Sequence, residues 1–396
     1  MTGNLPATSF HPPKRMLMGP GPSDIHPRVL AAMAQPTIGH LDPAFVAMMD
    51  EVKALLRYAF CTRNELTLPV SGPGSAGMEA CFVNLLEPGD VAVICVNGVF
   101  GGRMKENVER CGARAVVVED AWGAPVDPDK AAAALEANPG AKLLAFVHAE
   151  TSTGARSDAA ALCGLARRAG ALSVVDAVTS LGGIPVLVDA WGADAVYSGS
   201  QKCLSCTPGL SPVTFGPRAA DAVKARKTRT QSWFLDFGLL TAYWGGGKRA
   251  YHHTAPINAL YCLHESLTML REEGLEAAWD RHTRMHDALR AGLEAMGLGL
   301  PVAAEWRLPQ LNAVTVPAGI DEAAVRARLL ERWGLEIGAG LGALAGKVWR
   351  IGLMGQSATP AHVTTCLMAL ETVLAEMKAP ITPGAALPAA AKVLFG

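Results

Sequence analysis

The sequence predicts an α/β fold, with a mostly parallel sheet of seven strands and a smaller α+β domain toward the C-terminus. Short apolar segments rich in valine and isoleucine alternate with helical patterns up to about residue 215, which is typical of parallel strands covered by helices on both faces. After about residue 257 one long helical stretch leads into a second, shorter alternation. The 396 residues, 50% of them hydrophobic and 18% charged, are enough for two packed domains.

Seven apolar segments are the predicted strands of the large sheet, namely 66–70, 91–96, 115–119, 143–148, 172–176, 195–198 and 213–215. Helical patterns separate most of them, as at 77–86, 128–137 and 158–169. The last two strands are too close in sequence for a helical crossover. We therefore expect the last strand to be antiparallel and to lie at an edge of the sheet.

The predicted small domain has a shorter version of the same pattern. A helix at 257–293 precedes strands near 312–316 and 348–353, which alternate with helices at 321–333 and 360–377. The expected organisation is an N-terminal arm (1–15), a large domain (16–272), a small domain (273–379) and a tail rich in proline and alanine (380–396).

The composition excludes several classes of protein. The net charge of −1, with acids and bases mixed throughout, gives no electrostatic footprint for nucleic acid or an anionic membrane. The N-terminus lacks the apolar region of a signal peptide, and no apolar segment is long enough to span a membrane. The nine cysteines are scattered singly apart from Cys203 and Cys206, which suits a reducing compartment. We expect a soluble cytoplasmic protein.

Two predicted strands end close to residues that carry chemistry. The strand at 195–198 continues through small polar residues to Lys202, and the strand at 172–176 ends in Asp176. Pyridoxal phosphate needs this pair, because an amine forms a Schiff base with its aldehyde and a carboxylate keeps its pyridine nitrogen protonated. A lysine that caps a strand and an aspartate that caps a helix would give the same pattern, so these two residues alone leave both interpretations open.

The ends of other strands carry candidate cofactor contacts. The first strand runs into Gly72, Gly74 and Ser75 before a helix, and such a turn can bind phosphate with its free backbone N–H groups. Phe100, which follows the second strand, could stack on a planar ring or fill the core beneath a turn. The polar cluster at 148–154 could reach a cofactor with its hydroxyls or cap a helix.

Three further residues need an interpretation. Arg350 interrupts an apolar strand, and a buried guanidinium must meet a carboxylate, either in an internal salt bridge or on a substrate. His252 and His253 do not predict a metal site, because adjacent side chains on a strand point apart and no acidic or cysteine partner is near in sequence.

With these motifs the chain resembles the class V, fold-type I pyridoxal phosphate aminotransferases, in particular the alanine–glyoxylate and serine–pyruvate aminotransferase branch. The resemblance covers most of the chain. Its most specific segments are Gly19-Pro20-Gly21-Pro22, Ser180-Leu181-Gly182-Gly183, Ser198 to Lys202 with Pro208-Gly209, and Tyr251 to Thr254. The fold implied is that of a fold-type I pyridoxal phosphate transferase, and the protein is expected to be a homodimer with active sites at the subunit interface.

The resemblance also implies roles for individual residues. It assigns the Schiff base to Lys202, the pyridine nitrogen to Asp176, the ring faces to Val178 and Phe100, the phosphate to Gly74, Ser75 and Gln201 with Tyr251 and Thr254 of the partner subunit, and the region of the ring's phenolic oxygen to Thr151. Arg350 would bind the substrate carboxylate, while Gly21 and Ser180 would line the substrate pocket.

The implied reaction moves an amino group from alanine or serine to glyoxylate or pyruvate through a Lys202 aldimine in a ping-pong mechanism. Two residues depart from the mammalian branch, since Phe100 replaces a tryptophan and Ser75 a histidine. Ureidoglycine or pyridoxamine as donor, or a lyase reaction, are the alternatives. Gly72, Pro73 and Leu341 stand where pyridoxamine-using relatives carry charged groups, which disfavours that donor.

Overall fold

A computed structural model describes residues 8–245 and 249–396. Its strands, in chain order, are β1 (Met16–Leu17), β2 (Leu66–Ser71), β3 (Val91–Val96), β4 (Arg114–Glu119), β5 (Leu143–Val147), β6 (Ala149–Glu150), β7 (Ala155–Arg156), β8 (Leu172–Asp176), β9 (Ala195–Tyr197), β10 (Leu210–Phe215), β11 (Leu311–Thr315), β12 (Leu335–Glu336), β13 (Gly338–Ala339) and β14 (Val348–Gly352).

The α-helices are α1 (Pro27–Met33), α2 (Pro43–Ala59), α3 (Gly74–Leu85), α4 (Val99–Arg110), α5 (Pro128–Glu136), α6 (Ala159–Arg168), α7 (Val188–Trp191), α8 (Pro217–Lys224), α9 (Phe237–Trp244), α10 (Ile257–Glu273), α11 (Leu275–Met296), α12 (Glu322–Trp333), α13 (Pro360–Glu376) and α14 (Ala386–Phe395). Short 3₁₀ turns lie at Ala304–Trp306, Gly342–Leu344 and Gly355–Ser357. Aspartates begin several of the helices, because a carboxylate at the N-cap accepts the free backbone N–H groups of the first turn, as Asp42, Asp158 and Asp321 do.

The large sheet has the seven strands that the sequence predicts, and their order is β2-β10-β9-β8-β5-β3-β4. All neighbouring pairs are parallel except those of β10, which runs antiparallel to both β2 and β9. The expected antiparallel strand is therefore present, but its expected place at an edge is wrong. It lies between two strands because β2, the first strand of the sheet in the chain, adds outside it.

The helical stretch expected at 257–293 is two helices rather than one. The chain turns at Gly274, whose φ of +88° lies in a region that side chains other than glycine rarely adopt. The helix α10 packs beside α1 and α2, whereas α11 packs against α13 and α14. The break thus separates a helix of the large unit from a helix of the small one.

A second apolar core surrounds a small sheet with the order β11-β14-β13. The helices α11, α12 and α13 supply much of this core, which also contains Met18 from the N-terminal side of the chain. The segment that the sequence sets apart as a tail contains α14, whose Ala386, Ala390 and Leu394 are buried in the same core. In the described residues no helix is both long and apolar enough to cross a membrane.

Candidate active site

Lys202 lies in the connection between β9 and β10, at the carboxyl end of the sheet. It is 9% exposed, and its Nζ donates a hydrogen bond to the carbonyl oxygen of Pro20. The pKa of Lys202 is lowered to about 8, mainly by burial and in part by the positive charge of Arg350. An amine with this pKa is partly neutral near pH 7 and can act as a nucleophile or a base.

Asp176 is held at the end of β8 by two hydrogen bonds. Its Oδ2 accepts one from the hydroxyl of Tyr197 (2.7 Å) and its Oδ1 one from the backbone N–H of Val178 (2.8 Å). Burial raises the pKa of Asp176 to about 7. The residues after it form turns rather than an α-helix, so Asp176 is not a helix cap. Tyr197 was missed as a site residue from the sequence. It lies opposite Asp176 in the parallel pairing of β8 and β9, so the two side chains are neighbours.

The turn after β2 has the form expected of a phosphate site. Helix α3 begins at Gly74 without a side-chain cap, so its first N–H groups have no such partner. A Cβ on Gly74 would lie 3.1 Å from Cγ2 of Val178. The structure therefore brings this turn against the segment that follows Asp176, although Ser75 is exposed and makes no side-chain hydrogen bond within the described residues.

Two buried polar atoms near Lys202 have no hydrogen-bond partner within the described chain. They are Oε1 of Gln201 and Oγ of Ser180. Gln201 adjoins Val178 at Gly199, because a Cβ on Gly199 would lie 2.9 Å from Oε1 of Gln201 and 3.2 Å from Cγ1 of Val178. Unpaired buried polar atoms are costly in a folded protein, so their concentration here indicates a place for a polar ligand.

Arg350 in β14 reaches across to the turn between β6 and β7. It is 7% exposed, its Nε donates to the carbonyl oxygen of Ala339 (2.7 Å), and its Nη1 donates to that of Thr151 (3.1 Å). Burial lowers the pKa of Arg350 to about 10. Among the described residues it forms no ion pair, so the internal salt bridge left open by the sequence is absent there. The hydroxyl of Thr151 is hydrogen-bonded to that of Thr179.

Phe100 is half-buried in the first turn of α4, and its ring lies 4.8 Å from the guanidinium carbon of Arg103. Its backbone N–H donates to Oε2 of Glu150 (3.3 Å). The cluster at 148–154 therefore does cap a helix, but that helix is α4, about fifty residues earlier in the chain. Glu150 was missed by sequence reasoning, although an acid inside an otherwise apolar or uncharged strand end is a signal for it.

The N-terminal Gly-Pro-Gly-Pro segment closes over Lys202. The φ of Gly21 is +108°, in the region that favours glycine, and a Cβ there would lie 2.7 Å from Cδ of Lys202. The hydroxyl of Ser23 donates to the carbonyl oxygen of Lys202 (2.8 Å), and its backbone N–H donates to that of Gln201 (3.0 Å). These contacts fix the lysine segment against residues 20–23.

Tyr251 and Thr254 are not joined to this group by any hydrogen bond in the described part of the chain. Tyr251 is 61% exposed, and Thr254 is exposed as well. Between them, Nδ1 of His252 lies 2.8 Å from Nδ1 of His253. The prediction that these two side chains point apart is wrong, because neither lies in a strand. The described residues contain no group of three or more metal-ligating side chains.

A family model described as aminotransferase class-V matches residues 17–354. This chain belongs to the class V aminotransferases. The prediction of this family, of its fold type and of an aminotransferase is thereby confirmed. The family implies pyridoxal phosphate as cofactor, and the residues present fit it: a bare helix N-terminus for a phosphate, a buried carboxylate, a lysine of lowered pKa and unpaired polar atoms around them.

Several relatives of this class V aminotransferase resemble it over nearly the whole chain. The (S)-ureidoglycine–glyoxylate transaminase of Bacillus subtilis is 40% identical over 96% of this chain and 95% of its own. The alanine–glyoxylate aminotransferase of Rattus norvegicus is 41% identical over 91% of this chain and 88% of its own. The crystal structure of an alanine–glyoxylate aminotransferase from Nostoc sp. is 48% identical, covers 93% of this chain and 98% of its own, and superposes with a TM-score of 0.92.

Proposed function

We propose that this class V aminotransferase moves the amino group of alanine or serine to glyoxylate or pyruvate in a ping-pong reaction with pyridoxal phosphate. One observation carries the proposal. Arg350 is buried beside Lys202 and has no carboxylate partner among the described residues. A substrate carboxylate is the group that a buried, hydrogen-bonded guanidinium lacks, since planar two-point pairing is its strongest interaction.

The cofactor, when bound, supplies an electron sink for the negative charge that develops at the substrate Cα. Lys202 would hold it at the aldehyde carbon, and the Asp176 carboxylate would keep the pyridine nitrogen protonated. Val178 and Phe100 would lie on the two faces of the ring, with Thr151 near its phenolic oxygen. The phosphate would be bound by Gly74, Ser75 and Gln201, with Tyr251 and Thr254 of the partner subunit.

Lys202 would also carry the proton that leaves the substrate Cα. A base that must accept a proton and return it works best when its pKa is near the working pH. The pKa of about 8 that burial gives Lys202 satisfies this condition. The carbonyl of Pro20, which accepts a hydrogen bond from Nζ, lies within reach of the proton that this amine would carry.

The surroundings of Lys202 support a small amino acid as substrate. Gly21, whose backbone conformation favours glycine, adds no side chain beside Lys202, and Ser180 contributes a hydroxyl that is buried and unpaired within the described residues. Together they would line the substrate pocket.

The proposal includes a homodimer, because Tyr251 and Thr254 face solvent in the single chain and would reach the phosphate of a second subunit. A cytoplasmic location is also proposed. All nine cysteines are free, and most are buried, which suits a reducing compartment.

A ureidoglycine donor is the second candidate, favoured by the similarity to the Bacillus subtilis enzyme, whose crystal structure superposes with a TM-score of 0.96. A desulfurase is disfavoured, because it needs a reactive cysteine and the two thiols that follow the lysine are poor nucleophiles. Burial raises the pKa of both Cys203 and Cys206 to about 12, so neither is a ready nucleophile.

The test is a half-reaction panel on the holoenzyme, in which the absorbance of the bound cofactor is followed after addition of one donor at a time. Alanine, serine, aspartate, cysteine, ureidoglycine and pyridoxamine are compared. We expect alanine or serine to bleach the band fastest and glyoxylate to restore it. Bleaching by ureidoglycine alone would replace the proposed donor, and release of pyruvate or sulfide without bleaching would overturn transamination.

A further inference from the structure

Glu150 is a fully buried carboxylate to which the proposed reaction gives no role. It lies at the end of the short strand β6 and is 0% exposed. Its Oε1 accepts hydrogen bonds from the backbone N–H (3.0 Å) and the hydroxyl (2.6 Å) of Ser152. Its Oε2 accepts the backbone N–H of Phe100 (3.3 Å). Burial raises the pKa of Glu150, and the hydrogen bonds from Ser152 and Phe100 offset part of that rise because they stabilise the ionised form.

The element that Glu150 stabilises is the first turn of α4. The N-cap of this helix is Gly98, which has no side chain to accept the free N–H groups. Two side chains replace it, Glu150 at the end of β6 and Ser152 in the turn that follows. Ser152 Oγ accepts the N–H of Val99 (3.0 Å), and Glu150 accepts that of Phe100. A negative charge at a helix N-terminus is further favoured by the helix dipole.

The packing at this point leaves no room for a conventional cap. A Cβ on Gly98 would lie 2.5 Å from Cδ of Glu150 and 2.5 Å from Oγ of Ser152. Any side chain at Gly98 would therefore displace the two groups that hold the turn. The start of α4 is therefore held by Glu150 and Ser152 rather than by a residue of its own. Phe100, the second residue of this helix, is one of the residues held.

We propose that Glu150 is a positioning residue, which sets the height and tilt of the Phe100 ring against the face of the cofactor. The inference rests on the proposed role of Phe100 as the stacking residue. Ser152 assists by fixing both the carboxylate and the N–H of Val99.

A different route from Glu150 to the site runs through Arg350. The negative charge of Glu150 raises the pKa of Arg350, and Thr151, which lies between Glu150 and Ser152, accepts a hydrogen bond from the same guanidinium. If this route dominated, loss of Glu150 would change substrate affinity and leave cofactor affinity unchanged. The two routes therefore predict different measurements.

A double-mutant cycle tests the proposal with the dissociation constant of pyridoxal phosphate for the apoenzyme and the circular dichroism of the bound cofactor as readouts. We expect Glu150→Ala and Phe100→Ala each to weaken binding about tenfold and to reduce the dichroic signal. Because Glu150 acts through Phe100, the double variant should bind no more weakly than about tenfold. Fold changes that multiply would overturn the proposal.

Glu150→Gln serves where Glu150→Ala fails to fold. Glutamine keeps the size and one acceptor oxygen but loses the charge, so we expect a smaller loss of cofactor affinity that again vanishes in the Phe100→Ala background. A KM for the amino acid that rises about tenfold while cofactor affinity stays unchanged would favour the Arg350 route and sink the proposal.

Asp194→Asn is the matched control, because Asp194 is another buried carboxylate that accepts a backbone N–H, that of Ser173 (2.9 Å). Its effect on cofactor affinity should be the same with and without Phe100→Ala. Borohydride labelling of Lys202 in every variant separates the outcomes. If Lys202 is labelled and the effects of the Glu150 and Phe100 substitutions multiply, only the role of Glu150 is refuted. If Lys202 is not labelled in the parent enzyme, the proposed function is refuted.

Discussion

The buried carboxylates at the two ends of the large sheet differ in whether a cationic side chain is paired with them. At the amino end of β9, Asp194 accepts hydrogen bonds from Ser173 and is paired with Arg218, whose Nη1 lies 3.0 Å from its Oδ2. At the carboxyl end of β8, Asp176 is bound by a hydroxyl and a backbone N–H and has no cationic partner within ion-pair distance in the described residues. A charge that is already neutralised stabilises the fold, and one left without a counter-charge is available to a ligand.

Buried side-chain atoms without a hydrogen-bond partner number eight among the described residues. Four of them follow the carboxyl ends of β3, β5, β8 and β9, in Asn97, His148, Ser180 and Gln201, and the other four lie elsewhere, in Arg226, Trp279, Gln310 and Trp333. Active sites are where proteins accept such local costs. Substitutions that change one charged side chain at a time test this contrast between the two ends of the sheet.

Lys202→Ala should have the largest effect. Without the amine there is neither an attachment point for the cofactor nor a proton carrier, so we expect transamination to fall by about four orders of magnitude or more. Borohydride reduction followed by peptide mapping checks the assignment in the parent enzyme. A phosphopyridoxyl label on Lys224 or Lys227 would show that the lysine is misassigned.

Asp176→Asn comes next. A neutral amide cannot hold the pyridine proton, so the electron sink weakens, and we expect turnover to fall about a hundredfold or more while cofactor remains bound. Steady-state kinetics and the absorbance spectrum are the measurements. Wild-type rates with an ordinary spectrum would reduce Asp176 to a structural acceptor for Tyr197 and Val178.

Arg350→Lys keeps the positive charge but loses the planar guanidinium, which can donate two hydrogen bonds to one carboxylate. We expect KM for both amino and keto acids to rise about thirtyfold, with some loss of rate and an intact cofactor spectrum. Unchanged kinetics with alanine and glyoxylate would rule out the anchor role. Loss of cofactor or of folding would instead show that the hydrogen bonds to Ala339 and Thr151 are structural.

The pH dependence of cofactor attachment tests the burial of Lys202 directly. Only the neutral amine attacks the aldehyde, and a pKa of about 8 makes roughly one tenth of it neutral at pH 7. The rate at which the apoenzyme takes up pyridoxal phosphate should therefore rise about tenfold from pH 7 to pH 9 and then level off. A rate that still climbs steeply at pH 10 would belong to an unperturbed lysine.

Asp194→Asn should have the smallest effect on catalysis and a clear one on stability. Arg218 is about a third exposed, so water can solvate part of its charge when the ion pair with Asp194 is lost. We therefore expect the free energy of unfolding to fall by only about 2 kcal/mol. Denaturant titration and kinetics on the same sample separate the two quantities. A large loss of kcat with unchanged stability would erase the contrast between the two ends of the sheet.

Local patterns in the sequence predicted most of the fold. Strands buried on both faces are continuous apolar segments, and the acid and lysine that follow β8 and β9 stand out against them. The break at Gly274 was missed because apolar periodicity continues on both sides of it. The interior position of β10 could not be read from the sequence either, since it depends on pairing with the distant β2.

Predicting the site from the sequence had similar limits. Residues identified by their own chemistry, such as Arg350, could be predicted as candidates. Glu150 could not be assigned a role, because its partner Phe100 is separated from it by fifty residues and the contact exists only once the sheet has formed. Tyr197 belongs to an apolar strand, and only the register of β8 and β9 shows that its hydroxyl meets Asp176.

The place of β2 has a consequence for synthesis on the ribosome. Within the large sheet β2 lies at the edge and pairs only with β10, which begins about 140 residues later in the chain. At about 5–20 residues per second, the strand that leads into the glycine turn at 72–74 waits about 7–30 s for its partner to be made. During that interval its apolar residues are unprotected by sheet pairing, so the nascent chain passes through a stage at which a chaperone has a defined segment to shield.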